Sequence, residues 1–423
     1  MIRIFNGLVM TMCEDTAITD DEVWIDGNKI IYVGPSKTDT PAFEQEIDLQ
    51  GNLLLPGFKD AHTHSAMTFL RSFADDLPLE QWLNEQVFPM EAKLTADDIY
   101  WLTRLAILEY LTSGITASFD MYFQPDAYVK ANIDMGFRTV LCGSLNDYGG
   151  TVEQLEQDYL RFNNCHPLVS YQLGFHAEYT TSKELLEGVA KLAHKLKAPV
   201  YTHNSETKKE VEGCKERYGM TPTQLFNKLG MFEYGGGGFH CVHMDEEDLR
   251  IMKEKGLYVI SNPASNAKLA SGIAPIQAMV ERGIPVALGT DGPASNNCLD
   301  MFREMFLITA LQKLALEDAS ALKATEVLKM ACVEGANAMG LAVCNCIAAG
   351  KKADLIVLDL QQPNMQPLNA IDKNIVYSGS KQNVIMTMID GKILYRNGQF
   401  FAGCDCEEIY RKANQIIERM TTK

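Results

Sequence analysis

A parallel (β/α)8 TIM barrel of the α/β class, carrying a small β-sandwich built from both termini, is the fold this sequence predicts, and three observations predict it. Eight short apolar or β-branched runs recur between about residues 50 and 292, most of them followed by an amphipathic stretch long enough for a helix. These runs are continuously apolar rather than alternating, as expected of strands in a parallel sheet covered on both faces. No run leads into G-x-G-x-x-G or G-x4-G-K-S/T, so the rival doubly wound sheet around a nucleotide lacks its usual signals.

Taken in order, residues 1 to about 55 (MIRIFNGLVMTM, DEVWIDGNKIIYVGP) show short alternating strands with an Asp-Gly turn. The eight barrel runs follow: LLLPGFKDAHTH, ITASFDMYF, RTVLCGSL, LVSYQLGFHAE, PVYTHNSE, GGFHCVHM, LYVISNP and PVALGTDG. From about 347 to 402 (ADLIVLDL, VIMTMIDGKILYRNGQF) the short alternation returns with Asp-Gly and Asn-Gly turns, and CEEIYRKANQIIERM has the apolar spacing of a closing helix. The expected division is 1–55 plus 347–423 for the sandwich and closing helix, and 56–346 for the barrel.

A chain of 423 residues with 46% hydrophobic and 22% charged positions can bury a large core and has no disordered or fibrous bias. The net charge of −17 argues against a nucleic-acid polymer, whose phosphates call for clustered Lys and Arg. No membrane-length apolar run and no secretory pattern is visible, so a cytoplasmic protein without a membrane partner is expected. The eleven cysteines are odd in number and scattered, which fits reduced thiols. Cys344 with Cys346 and Cys404 with Cys406 have C-x-C rather than C-x2-C spacing, and no P-C-x-x-C occurs, so neither a cysteine cluster nor a cytidine-deaminase type of zinc site is expected.

The active end of a (β/α)8 barrel lies at the C-terminal ends of its strands, and the ligand-type residues of this chain gather there. Strand 1 ends in His62-Thr63-His64, whose two imidazoles share a face in an extended segment. Strand 5 ends in His203-Asn204-Ser205-Glu206, strand 6 contains His240 and His243, and strand 8 ends in Thr290-Asp291-Gly292. Two or three histidines and an aspartate from separate strands suit a borderline-soft divalent cation, zinc before iron(II). H-x-H alone is a weak signal, since a turn pair held by backbone carbonyls would ask nothing of Asp291 across the barrel. The combination with His203 and Asp291 favours the metal. His166, before Pro167, and His194, in a helical stretch, read as ordinary satisfied histidines.

In that order, PGFKDAHTH, H-x-x-E, F-H-C-V-H and LGTDGPASNN resemble the aminohydrolases of the amidohydrolase superfamily over nearly the whole chain. HTHSAMTFLRSFADDLPLEQWL, DMYF, HCVHM, SNPASNAKLASGIAPI and TDGPASNN are more narrowly similar to the methylthioadenosine/S-adenosylhomocysteine deaminases and the chlorohydrolase-like enzymes around them. The resemblance implies that His62, His64, His203 and Asp291 hold one divalent metal ion, with a water completing the site. It implies hydrolytic deamination of a small adenosine-like nucleoside: methylthioadenosine, 5′-deoxyadenosine, adenosine or S-adenosylhomocysteine. Glu206, just beyond His203 on the same strand end, would protonate the ring nitrogen and then help ammonia depart. Asp291 would also take the water's proton, and His240 would stabilise the developing tetrahedral oxygen. Residues three apart in a strand face opposite sides, so His240 and His243 are alternatives for this role; His240 is preferred because it aligns with the family's A-H-x-x-x-L pattern, with Phe239 in place of Ala. His243 is then expected to pack or hydrogen-bond at the rim. Strand 4 lacks the lysine that bridges two metals in other members, which predicts a single metal.

By the same resemblance His176 contacts substrate, Glu91 in FPMEAKL grips ribose hydroxyls, Trp82 and Met67 line the purine pocket, and Ser295 touches the ligand. Each has an ordinary alternative: a structural histidine, a helix-surface glutamate, core apolar residues. One departure stands out. Members that use S-adenosylhomocysteine carry arginines at the end of strand 3 and after the next Gly-Gly, where this chain has Cys142 and Thr151. A neutral site there favours the substrates without a carboxylate. The runner-up activities are guanine, pterin or triazine deamination, against which Glu91 speaks. A non-catalytic scaffold relative is disfavoured because every metal position is filled. Assembly is left open, a homo-oligomer included.

Overall fold

A computed structural model describes residues 1–77 and 79–422, so Pro78, inside the motif around Trp82, lies outside the described residues. Eight parallel strands run in sequential spatial order: β1 (Phe58–Thr63), β2 (Ile115–Asp120), β3 (Arg138–Cys142), β4 (Val169–Ala177), β5 (Val200–Asn204), β6 (Gly236–His240), β7 (Tyr258–Ser261) and β8 (Val286–Leu288). Ring closure comes just past β8, where the Asp291 amide donates to the His62 carbonyl at 2.9 Å. Alongside it, the Asp60 carboxylate accepts from the Thr290 amide at 2.8 Å and the Thr290 hydroxyl at 2.6 Å. Gly289 permits this approach, because a Cβ there would stand 2.6 Å from the His62 backbone nitrogen.

The first apolar run is two strands, not one. Leu53–Pro56 pairs with Leu355–Leu358 and Leu8–Met10 outside the barrel, and only Phe58–Thr63 enters it beside β2. Gly57 makes the switch, since a Cβ at that position would lie 2.1 Å from the Thr116 side chain. The barrel lumen is filled rather than open, with Phe119, Tyr201 and Phe239 among small residues such as Ala61, Ala117 and Ala287. The His62 ring stacks on Phe239 with centroids 3.8 Å apart, so the active end rests on an apolar floor.

Outside the barrel, Lys29–Gly34, Glu22–Asp26, Ile2–Phe5 and Gln45–Asp48 form a four-stranded sheet. A seven-stranded sheet joins strands from both termini, with Leu53–Pro56 between Leu355–Leu358 and Leu8–Met10. The sheets share one apolar core in which Ile4, Val23 and Ile25 meet Leu54, Leu355 and Met388. Arg138 on β3 ties the barrel to the larger sheet by donating to both oxygens of buried Asp354, at 2.6 and 3.0 Å. The last helix, Cys406–Thr421, buries Ile409, Ile416 and Met420 and lies against Ala96–Thr112, where Arg419 donates to Asp98 at 2.5 Å. Among the described residues no helix is long and apolar enough to cross a membrane.

Candidate active site

The polar side chains of the site come from places where strands run out and the backbone takes unusual turns. Ser205, His240, Cys241 and Asp291 all have left-handed φ, at +53°, +69°, +48° and +59°, which non-glycine residues adopt only where surrounding structure enforces it. Two expectations change as a result. β5 stops at Asn204, so Glu206 is not on the strand; left-handed Ser205 turns the chain, and the Glu210 carboxylate holds the turn by accepting from the Ser205 and Glu206 amides at 3.0 and 2.8 Å. β6 stops at His240, so strand alternation does not govern His243, whose Nε2 lies 2.8 Å from the Ser271 carbonyl, outside the histidine cluster.

The cluster is centred on His62. Donor atoms of His62, His64 and Asp291 lie within 4.8 Å of one another, and so do those of His62, His203 and His240. Asp291 Oδ1 is 3.6 Å from His62 Nε2 and 3.4 Å from His64 Nε2. Donors about 2.1 Å from a tetrahedral ion stand roughly 3.4 Å apart, so these separations suit a divalent cation. Asp291 does not face His62 across the barrel; ring closure makes β8 the neighbour of β1.

The hydrogen bonds leave the right atoms free. His64 Nδ1 is 2.6 Å from the Met121 carbonyl and His203 Nδ1 is 2.7 Å from the His176 carbonyl, which directs each Nε2 at the site. Both ring nitrogens of His62 and Nε2 of His240 are buried without a hydrogen-bond partner in the protein, a costly arrangement that a cation bound at His62 Nε2 would in part relieve. Burial first, then the neighbouring histidines, hold the His62 and His203 imidazoles well below their usual pKa, in the neutral form that binds metal. Burial alone would raise Asp291, but His240, His64 and the hydroxyls of Ser265 and Ser295 hold it below the usual carboxylate value. Those hydroxyls donate to Asp291 Oδ2 at 2.5 and 2.8 Å. Ser295 thus both lines the cavity and orients Asp291.

Glu206 is raised by burial, with Asp291 adding to the effect and His240 opposing it. Its Oε2 stands 3.9 Å from His240 Nε2. His240 in turn has its Nδ1 2.7 Å from Asn266 Oδ1. A cavity of about 610 Å3 opens over this group, and His64, His176, His203, Glu206, His240 and Asp291 form one end of its lining. Met67, Trp82 and Glu91 line it as well. Glu91 is raised by burial and accepts from the Tyr122 hydroxyl at 2.7 Å. His176 has its Nδ1 2.8 Å from the Thr180 hydroxyl, and burial together with His64 depresses its pKa to about 4. Cys142 and Thr151 line the cavity too, and no Lys or Arg does so among the described residues.

Sequence reasoning passed over Ser265, Asn266, Tyr122 and Glu210. The first three lie inside quoted motifs, SNPASNAK and DMYF, where their polar type next to a proposed ligand was the available signal. Glu210 reads as an ordinary helix-start acid.

Comparison with known proteins identifies the family. The model of the Amidohydrolase family matches residues 53–394. A 5-methylthioadenosine/S-adenosylhomocysteine deaminase of Moorella thermoacetica is 40% identical over 404 residues, 94% of each chain. One from Desulfitobacterium hafniense is 40% identical over 422 residues, 97% of each. Among solved structures, an adenosine deaminase from Xanthomonas campestris with bound zinc superposes with a TM-score of 0.95 at 30% identity, covering 100% of this chain and 99% of its own.

Proposed function

Because the chain belongs to the amidohydrolase family, we propose that it is a cytoplasmic hydrolytic deaminase of adenosine-like nucleosides, with one zinc ion held by His62, His64, His203 and Asp291. The observation that carries the reading is the meeting at His62 of two groups of close donors, one with His64 and Asp291 and one with His203 and His240, beside a cavity whose wall presents Glu206 and Glu91. Such a cation, when bound, lowers the pKa of a ligated water from about 15.7 to about 7, which is what hydrolysis at neutral pH requires.

The chain's own residues do the rest. Glu206, its carboxyl raised by burial, gives its proton to the ring nitrogen and recovers one from the tetrahedral hydroxyl, while the amino group leaves as ammonia with the proton that Asp291 has taken from the attacking water. Asp291, kept ionised by His240 and His64, accepts the proton of the attacking water. His240 is anchored at Nδ1 by Asn266 and turns Nε2 towards the oxygen that develops charge on the attacked carbon. Glu91, steadied by Tyr122, accepts from ribose hydroxyls, while Trp82 and Met67 flank the purine. His176 stays neutral and presents its free Nε2 to the substrate.

Ammonia release from methylthioadenosine, S-adenosylhomocysteine, adenosine, 5′-deoxyadenosine and guanine, measured side by side, tests the reading; guanine as the best substrate would overturn it. Methylthioadenosine is expected to be preferred over S-adenosylhomocysteine. A charge-assisted hydrogen bond is worth about 1.5–3 kcal/mol, or roughly 10- to 150-fold in binding, and neither Cys142 nor Thr151 supplies one. Thr151→Arg should therefore raise kcat/KM for S-adenosylhomocysteine relative to methylthioadenosine. A wild-type preference of about tenfold for S-adenosylhomocysteine would show that another cation makes the contact.

A further inference from the structure

We propose that the part of the cavity next to the helix Val152–Phe162 recognises a cation, so that the substrates include adenosine thioethers whose 5′ tail ends in an ammonium group and carries no carboxylate. The inference rests on the reading of the site as an adenosine-type deaminase and concerns the chemistry of the tail alone.

Leu155, Asp158 and Phe162 form the buried face of that helix, spaced at i, i+3 and i+7. An amphipathic helix calls for an apolar residue at the middle position, yet this chain places a carboxylate there, 9% exposed. Asp158 lines the cavity together with Cys142, Gln154, Leu155 and Tyr171. Its Oδ1 accepts from Gln154 Nε2 at 2.9 Å. Arg161, three residues on in the same helix, is turned outward into an ion pair with exposed Asp126. Burial lifts the Asp158 carboxyl above its usual pKa, as expected of an acid without a buried cationic partner.

The other carboxylates of the lining are already engaged: Glu91 by Tyr122, Glu206 beside His240, and Asp291 by Ser265 and Ser295. With no Lys or Arg in the described lining, the charge available to a 5′ tail is negative. A homocysteine tail brings both an ammonium and a carboxylate, and this wall complements only the ammonium. An aminoalkyl thioether keeps the matching group and drops the mismatched one.

The test compares kcat/KM for methylthioadenosine, 5′-propylthio-5′-deoxyadenosine and 5′-(3-aminopropylthio)-5′-deoxyadenosine, the last two differing in the terminal ammonium. The aminopropyl compound is expected to exceed the propyl compound by about tenfold or more in the wild-type enzyme. Asp158→Asn, which keeps the shape and the Gln154 contact, should bring that ratio close to one. A wild-type ratio of one or less, or a preference that survives Asp158→Asn, overturns the proposal while deamination of methylthioadenosine leaves the deaminase reading standing. Absence of ammonia from all three compounds would sink both.

Discussion

Glu206→Gln is expected to lower the rate of ammonia release by on the order of 10²-fold or more while the protein keeps its metal. The carboxyl is buried beside the donor cluster without belonging to either group of mutually close donors, so an amide of the same shape leaves the cation's ligands intact. What it removes is a proton that can leave and return. The Glu210 carboxylate accepts from the backbone amides of Ser205 and Glu206, not from the Glu206 side chain, so the turn is preserved in the variant. Metal content by elemental analysis, read with kcat, separates the outcomes. Retained activity would place the acid elsewhere, and loss of metal would make Glu206 a ligand.

Asp291→Asn should lose metal and activity together. The residue sits within 3.6 Å of His62 Nε2 and 3.4 Å of His64 Nε2 through Oδ1, and its other oxygen accepts two hydroxyl hydrogen bonds. A neutral amide has one acceptor oxygen for these tasks and presents N–H groups to the other partner. Removing merely an outer partner of a ligand typically costs 10- to 100-fold in metal affinity, so loss of the ligand's charge should cost at least that. Competition against a chelator, with activity followed in parallel, measures it. A variant that remains fully metallated and active would refute the ligand role.

The barrel was legible because strands covered on both faces leave continuous apolar runs, and the donors were legible because barrel chemistry sits where those runs end. The ends themselves were not. Polar residues prolonged the runs by two or three positions at Glu206 and His243, and nothing in the letters announces that Ser205, His240 and Cys241 adopt left-handed backbone, since they are not glycines. Sequence order also hid the adjacency of Asp291 and His62, which exists only because the sheet closes. Leu53–Pro56 was absorbed into β1 because both segments are apolar and only the steric demand at Gly57 separates them. Asp158 and Glu210 resembled surface acids, because a polar residue on a buried helix face is indistinguishable by type from one on the exposed face.

Zinc titration of the chelator-stripped protein, followed by ammonia release from methylthioadenosine, tests the central claim most directly. With His62, His64, His203 and Asp291 forming one site, activity should be negligible without metal, rise with added zinc and level off at one equivalent per chain. Ammonia release by the metal-free protein, or a plateau reached only at two equivalents, would contradict the account.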